Sequence, residues 1–211
     1  MGAAPLVLPA GAAGSIDSAI EVLRAGAIVA LPTETLYGLA VLPREAPLAK
    51  MLAAKRRPRE KGIALAVDSI AQVEGLAVFP AAARRLAERF WPGPLTLVLA
   101  PRRDLAHELP QPLLGPSGTL GFRLADHPVP RQLAACLGPI ALTSANVSGG
   151  QEARTVDDLI AALGDALSLV LDGGPVLGGV ASTVVAVDAA GGVTVLRAGA
   201  LDAAEVLAAR T

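Results

Sequence analysis

The sequence predicts an α/β fold, a twisted mixed sheet flanked by helices, and three observations predict it. Short aliphatic runs of strand length alternate with stretches of helical periodicity along the chain. The carboxy-terminal third is strand-rich, with "LSLVLD", "STVVAVD" and "VTVLR" in close succession, so antiparallel pairs are expected beside parallel ones. Apolar residues fill 53% of the 211 positions but aromatics only 2%, so Ala, Val and Leu must build the core. A chain of this length buries such a core without staples.

The opening "MGAAPLVLPAGAAG" is expected as a flexible arm over residues 1–14, without the basic leader of a secretory signal. Residues 15–211 are expected to form a single domain. Ser15 is placed to cap a helix whose apolar face is Ile16, Ile20 and Leu23, closed by Gly26. "AIVALP" reads as a buried strand ending at Pro32. A helix around Leu48, Met51 and Leu52 runs into "KRRPREKG", where Pro58 disfavours helix at Arg57 and puts the basic residues on a loop. "IALAV" reads as a strand, "PAAARRLAERF" as a helix opened by Pro80, and "LTLVLA" as another strand. The Pro- and Gly-rich stretch from Pro101 to Gly118 is expected to be a mobile loop. "TLGFRL" (strand), "VPRQLAACLG" (helix) and "PIALT" (strand) follow. Thr155 and Asp158 make a capping box before "LIAALG". The last two strands join across Ala189 to Gly192, and "LDAAEVLAAR" closes the chain as a helix.

Composition narrows the function. The aliphatic runs are far shorter than the ~18 residues that cross a bilayer, so no membrane role is expected. The single cysteine, Cys136, excludes an internal disulfide and fits a reducing, cytoplasmic location. It reads as core helix rather than nucleophile. Two histidines argue against a His-rich metal site, and His127, before Pro128, is expected to cap a turn. A net charge of −1 means that any affinity for phosphates must come from local clustering. No GxxxxGK[ST], GxGxxG after a strand, CxxC, HExxH or GxSxG is present.

Polar residues gather at strand ends instead. "LPTETLYG" leaves its strand through Thr33, Glu34 and Thr35, either as a turn whose hydroxyls satisfy the backbone or as ligand groups. "KRRPREK" packs Lys55, Arg56, Arg57, Arg59 and Lys61 together, either a solvated loop or a polyphosphate clamp. Arg123 stands inside an apolar strand, so it meets either a structural carboxylate or a ligand's. In "LTSAN", alternation sends Ser144 and Asn146 to one side, either a polar strand end or a pair of ligand donors. "GGVASTVV" offers Gly178 and Gly179 for close backbone approach, then Ser182 and Thr183, and Arg197 ends "VTVLR". Trp91, in "FWPGPLTLVL", reads as scaffold packing. Together these ends describe a polar, cationic mouth on an aliphatic scaffold.

The segments "LPTETLYGLA", "KRRPREKGIAL", "FWPGPLTLVL", "GFRLADHPVP", "LTSANVSG", "STVV" and "VLRAG", in this order, resemble the YrdC (TsaC) family of threonylcarbamoyl-AMP synthases, in its short single-domain form. The resemblance implies a YrdC-like fold with a cationic concave site, and formation of threonylcarbamoyl-AMP and pyrophosphate from L-threonine, bicarbonate and ATP. It implies ATP as substrate with Mg²⁺ bound mainly through the phosphates and no protein metal ligands. It also implies service to the threonylcarbamoyladenosine modification of tRNA beside proteins of the TsaD, TsaB and TsaE type, with at most a weak RNA contact. By position it gives Lys55 and Arg57 as catalytic. Lys55, Arg57, Lys61, Thr119, Asn146, Thr155 (or its neighbour Arg154) and Arg197 fall to ATP, and Thr35, Arg123, Ser144 and Ser182 to threonine. Longer relatives often carry a threonine-contacting histidine where this chain has Ala66.

Overall fold

The computed structural model describes residues 4–176 and 179–210. Gly178, expected at a close backbone approach, lies outside the described residues. The strands are β1 (Leu6–Pro9), β2 (Val29–Leu31), β3 (Gly38–Val41), β4 (Ala64–Ala66), β5 (Leu95–Leu99), β6 (Leu120–Arg123), β7 (Ile140–Ser144), β8 (Leu169–Asp172), β9 (Thr183–Val187) and β10 (Val193–Arg197). The helices are α1 (Ser15–Arg24), α2 (Glu45–Lys55), α3 (Ile70–Glu74), α4 (Ala81–Phe90), α5 (Pro128–Leu137), α6 (Val156–Leu163) and α7 (Ala203–Ala208). The strands form one sheet in the order β1-β8-β2-β3-β7-β4-β6-β5-β9-β10. It is mixed: β1–β8, β2–β8, β4–β6 and β5–β9 run parallel, and the other neighbours antiparallel.

Most elements fall where periodicity and turn residues put them. Gly26, at φ 73, closes α1, and Thr155 with Asp158 forms both halves of the capping box of α6. Three local expectations change. Residues 6–9, within the stretch expected as a flexible arm, pair in parallel with β8 as an edge strand. Ser15 does not cap α1; its hydroxyl donates to the Pro9 carbonyl at 2.8 Å and ties helix to edge strand, while Gly14 holds the cap position. Cys136, expected in the core, is exposed on α5.

The two faces of the sheet are divided by the strand alternation. On one face Leu39, Leu65, Phe122, Leu97 and Val185 join one apolar cluster with Leu48 and Met51 of α2 and Leu86 of α4. On the other, Leu169, Val29, Ala40 and Ile140 pack under Ala19 and Leu23 of α1 and Leu133 of α5. The helices α1 and α5 therefore roof the β8–β2–β3–β7 part of that second face. Across β4, β6 and β5 the second face carries Ala64, Ala66, Thr96, Val98 and Gly121, all small, with Arg123 standing at the end of β6.

Candidate functional site

That uncovered stretch of sheet is the floor of a cavity of about 750 Å³. Ala64 and Ala66 of β4, Thr96 and Val98 of β5, Gly121 and Arg123 of β6, and Leu142 and Ser144 of β7 line it at alternate positions. A Cβ on Gly121 would touch its neighbours on the same face, Ala64 at 3.4 Å and Thr96 at 3.6 Å, so the floor is closely set side to side. The sequence placed the polar residues at a mouth made of strand ends. In the structure those ends rim a cavity whose base is the face of the sheet itself.

Of the expected site residues, Thr35, Arg57, Lys61, Thr119, Arg123, Ser144, Ser182 and Arg197 line this one cavity. Lys55, Asn146 and Thr155 do not line it, and each has a structural reason. Lys55 falls on the apolar stripe of α2 with Leu48, Met51 and Leu52 and is 1% exposed. Its ammonium donates to the carbonyls of Ser144 and Asn146 and, at 3.3 Å, to Asn146 Oδ1. Asn146 Nδ2 donates onward to the Gly150 carbonyl at 2.9 Å, and Ser144 Oγ donates to Asn146 Oδ1 at 2.6 Å. Lys55 and Asn146 thus brace the turn from beneath, and Ser144 alone of this group reaches the cavity. Thr155 Oγ1 accepts the Asp158 amide at 3.2 Å, so its hydroxyl serves the helix cap. The Arg154 side chain lies against Gly179 instead, whose φ of +64° gives the left-handed backbone that glycine tolerates.

The wall around Thr35 is a directed hydrogen-bond chain. Thr33 Oγ1 donates to the Leu36 carbonyl at 2.6 Å. That spends its single proton, so the 3.0 Å contact between the two threonine hydroxyls runs from Thr35 to Thr33. Thr35 Oγ1 in turn accepts from Arg123 Nη2 at 2.9 Å. The same Nη2 donates to Glu34 Oε1 at 2.6 Å, and Arg123 Nε reaches the Gly93 carbonyl at 3.3 Å. The open alternative for Arg123 is thereby answered at one end: it meets a structural carboxylate, Glu34. Its Nη1 has no hydrogen-bond partner among the described residues. Beside it, Ser182 Oγ pairs with Thr96 Oγ1 at 2.8 Å, and Arg197 Nη2 donates to the Ser182 carbonyl at 2.8 Å.

The rest of the lining is cationic, with Arg197 next to both groups. Arg57 curls over its own loop, donating to the Lys61 and Gly62 carbonyls, both at 3.0 Å. Burial and then the nearby Arg197 push the Arg57 guanidinium below its ordinary value. Burial first, with Arg123 adding to it and Glu152 opposing it, does the same to Arg197. Burial and then Arg57 pull the Lys55 ammonium down to about 8, against the pull of Glu152. Arg57 is half-buried and Arg197 is exposed as a whole residue, yet the two crowd one another, and a bound polyanion relieves that repulsion. Among the described residues Glu152 is the single carboxylate on the lining. The loop from Pro101 to Gly118 is partly tied down, because Leu113 is buried and Pro112 accepts the Ile63 amide at 2.9 Å; residues 115–117 edge the cavity.

Sequence reading passed over four contributors: Glu34 as an anchor, Thr96, Tyr37 and Glu152. Thr96 was legible as the one hydroxyl in "LTLVLA" at a floor position. Tyr37 is fully buried, donates to the Gly174 carbonyl at 2.8 Å and accepts the Gly173 amide at 3.1 Å, which ties the chain after β8 to a residue of the cavity lining. No signal in a single sequence marked Glu152.

Comparison with known proteins shows the family and the fold. Residues 21–199 match the Sua5/YciO/YrdC family, described as "Telomere recombination", and the chain belongs to that family. A Pseudomonas putida relative named threonylcarbamoyl-AMP synthase is 39% identical over 142 residues, which is 66% of this chain and 75% of that one. The crystal structure of P. abyssi Sua5 complexed with L-threonine superposes with a TM-score of 0.83 at 33% identity, covering 92% of this chain and 56% of Sua5. This chain thus spans little more than half of that protein. E. coli YciO shares the fold, with a TM-score of 0.80 at 22% identity over 96% of this chain and 98% of its own.

Proposed function

We propose that the chain is a nucleotidyltransferase, an L-threonylcarbamoyladenylate synthase that joins L-threonine, bicarbonate and ATP into threonylcarbamoyl-AMP and pyrophosphate for tRNA modification. One observation carries this reading: the hydrogen-bond network around Arg123 and the cations Arg57, Lys61 and Arg197 share one cavity. Membership of the family and the name of the P. putida relative support it.

The residues divide the work by position. Arg123 Nη1 holds the threonine carboxylate, so the amine turns toward the centre of the cavity. Thr35 Oγ1, its proton already committed, offers that amine a lone pair. Ser182, held by Thr96, closes the same subsite, and Ala66 supplies space where longer relatives often have histidine. The free amine adds CO₂ and gives up a proton to solvent, or adds bicarbonate with loss of water, to give a carbamate. A carbamate oxygen then attacks the α-phosphorus, and the bond to pyrophosphate breaks in line. Arg57, Lys61 and Arg197 lie where charge builds on the leaving group, and electrostatic stabilisation of that kind is the main demand. Thr119 borders the nucleotide, and residues 115–117 edge the entrance as a lid. Lys55 and Asn146 act by holding Ser144 and its turn.

The described residues contain no group of His, Cys, Asp or Glu able to enclose a metal ion. A lining with one carboxylate, Glu152, fits a Mg²⁺ that keeps most of its ligands on phosphate and water. Bound so, Mg²⁺ would offset phosphate charge. Among the described residues no helix is long and apolar enough to cross a membrane; we place the enzyme in the cytoplasm, beside partners of the TsaD, TsaB and TsaE type.

The test is pyrophosphate release from ATP, Mg²⁺ and bicarbonate with L-threonine or L-serine, with mass spectrometry of the quenched mixture. Threonine-dependent release with the adenylate mass is expected. ATP binding without release would move the activity to another acceptor amine. Salt-sensitive RNA binding without ATP turnover would replace the reading by a nucleic-acid one.

A further inference from the structure

Glu34 sits behind the site rather than on it. Its carboxylate does not line the cavity, yet its Oε1 makes the 2.6 Å ion pair with Arg123, with the two side chains only 20% and 13% exposed. Its other oxygen, Oε2, is buried without a hydrogen-bond partner among the described residues. A carboxylate left half-satisfied is costly to bury; its hydrogen bond goes to Arg123, and its charge also pulls upward on the half-buried His127 imidazole, against the burial that lowers it.

The geometry of Arg123 shows what it accomplishes. Both protons of Nη2 are consumed, one by Glu34 Oε1 and one by Thr35 Oγ1, and the Nε proton points to the Gly93 carbonyl. With three of its five N–H groups committed, the guanidinium plane cannot rotate, and Nη1 is the nitrogen left to the cavity. We infer that Glu34 is a positioning residue for amino-acid recognition: it locks Arg123 so that the ligand carboxylate is met end-on by Nη1 and not by the two-nitrogen fork. The inference rests on the proposed threonine subsite and extends it. Glu34 also offsets the charge of Arg123, so recognition depends on where two N–H bonds point more than on net attraction. Thr35 belongs to the same device. Because Arg123 donates to it, its own proton stays on Thr33 and its free lone pair stays toward the ligand.

Two readouts separate this from a merely structural ion pair. In steady-state kinetics, Glu34→Ala should raise the KM for L-threonine at least tenfold, on the order of one charge-assisted hydrogen bond, with kcat and the KM for ATP within about twofold. Glu34→Gln keeps an acceptor in the same place and should restore the threonine KM to within about threefold of the parent. In the Arg123→Ala background, Glu34→Ala should add nothing, since the effect passes through Arg123. Guanidinium ¹⁵N spectra of the ligand-free protein should show hindered rotation of Arg123 in the parent and in Glu34→Gln, and free rotation in Glu34→Ala.

Unchanged threonine KM and hindered rotation in Glu34→Ala would overturn the inference. So would equal losses for ATP and threonine in a protein of lowered melting temperature. A parent protein whose Arg123 is hindered but which neither binds nor turns over L-threonine would instead sink the threonine reading, leaving the positioning role of Glu34 standing.

Discussion

The two walls of the cavity are built on opposite terms. Around Arg123 the hydrogen bonds form a directed chain: Thr33 to Leu36, Thr35 to Thr33, Arg123 to Thr35 and Glu34, with Thr96 paired to Ser182. Around Arg57 the loop satisfies itself, and what faces inward is positive charge depressed by burial and by its own neighbours. The first wall fixes directions and suits a small ligand that must be told from close analogues. The second supplies field and suits a flexible polyanion whose charge matters more than its outline. A site that joins an amino acid to a nucleotide needs one of each.

This contrast can be broken by substitution. The largest expected effect is on the cationic wall: Arg57→Ala should lower kcat by about 10²–10³-fold. Its melting temperature should hold or rise, since one party to the repulsion with Arg197 is gone. A fall in threonine affinity alone would mean that the walls have been assigned backwards.

Next comes a pH effect at the brace beneath the turn. With its ammonium at about 8 in the folded protein and 10.5 as its ordinary value, Lys55 is charged below pH 8 and loses a donor above it. The profile of kcat/KM should bend downward near pH 8, by about tenfold per further unit. Between those two values the folded protein holds fewer protons on Lys55 than the unfolded chain does. The contribution of this group to unfolding free energy therefore rises with pH. Activity lost without a parallel loss of thermal stability, measured on the same samples, would locate the effect at the turn and not in global unfolding.

A smaller change is expected on the directed wall. Thr96→Val keeps shape but removes one neutral hydrogen bond from Ser182, worth about 1 kcal/mol. The threonine KM should rise about fivefold, with the ATP KM unmoved. The smallest effect belongs to Thr155→Ala, which should cost about 1 kcal/mol of stability through the lost cap and leave both KM values alone. A clear rise in the ATP KM would return Thr155 to the nucleotide site, where family position puts it.

Local chemistry explains why some of this was legible in sequence. The capping box of α6, the glycine after α1 and the hairpin before β10 depend on residues a few positions apart, and each forms as read. The strand β1 depends on β8, more than 150 residues away, and its own residues looked like an arm because an edge strand in a Gly- and Pro-flanked segment carries no turn or period of its own. The short β3 escaped notice because the Thr33–Tyr37 turn separates it from β2 by a few residues only, and all of its positions are buried, which erases alternation. Within the site, the basic run told where charge collects but not which way each side chain turns. The spacing of Leu48, Met51, Leu52 and Lys55 did carry that information, since it puts Lys55 on the buried stripe of α2. For Arg123 the sequence allowed two partners, and Glu34, 89 residues away, could be supplied only by the fold.

The mutual repulsion of Arg57 and Arg197 has a consequence for turnover. In the empty protein their charges are unwelcome, and any phosphate chain that settles between them is held partly by that relief. Pyrophosphate gives the same relief as the nucleotide it came from, without the adenosine. The leaving group should therefore linger after the bond has broken, compete with fresh nucleotide and run the reaction backward when it accumulates. A pyrophosphatase in the same compartment would then set the pace of the enzyme as much as its own chemistry does.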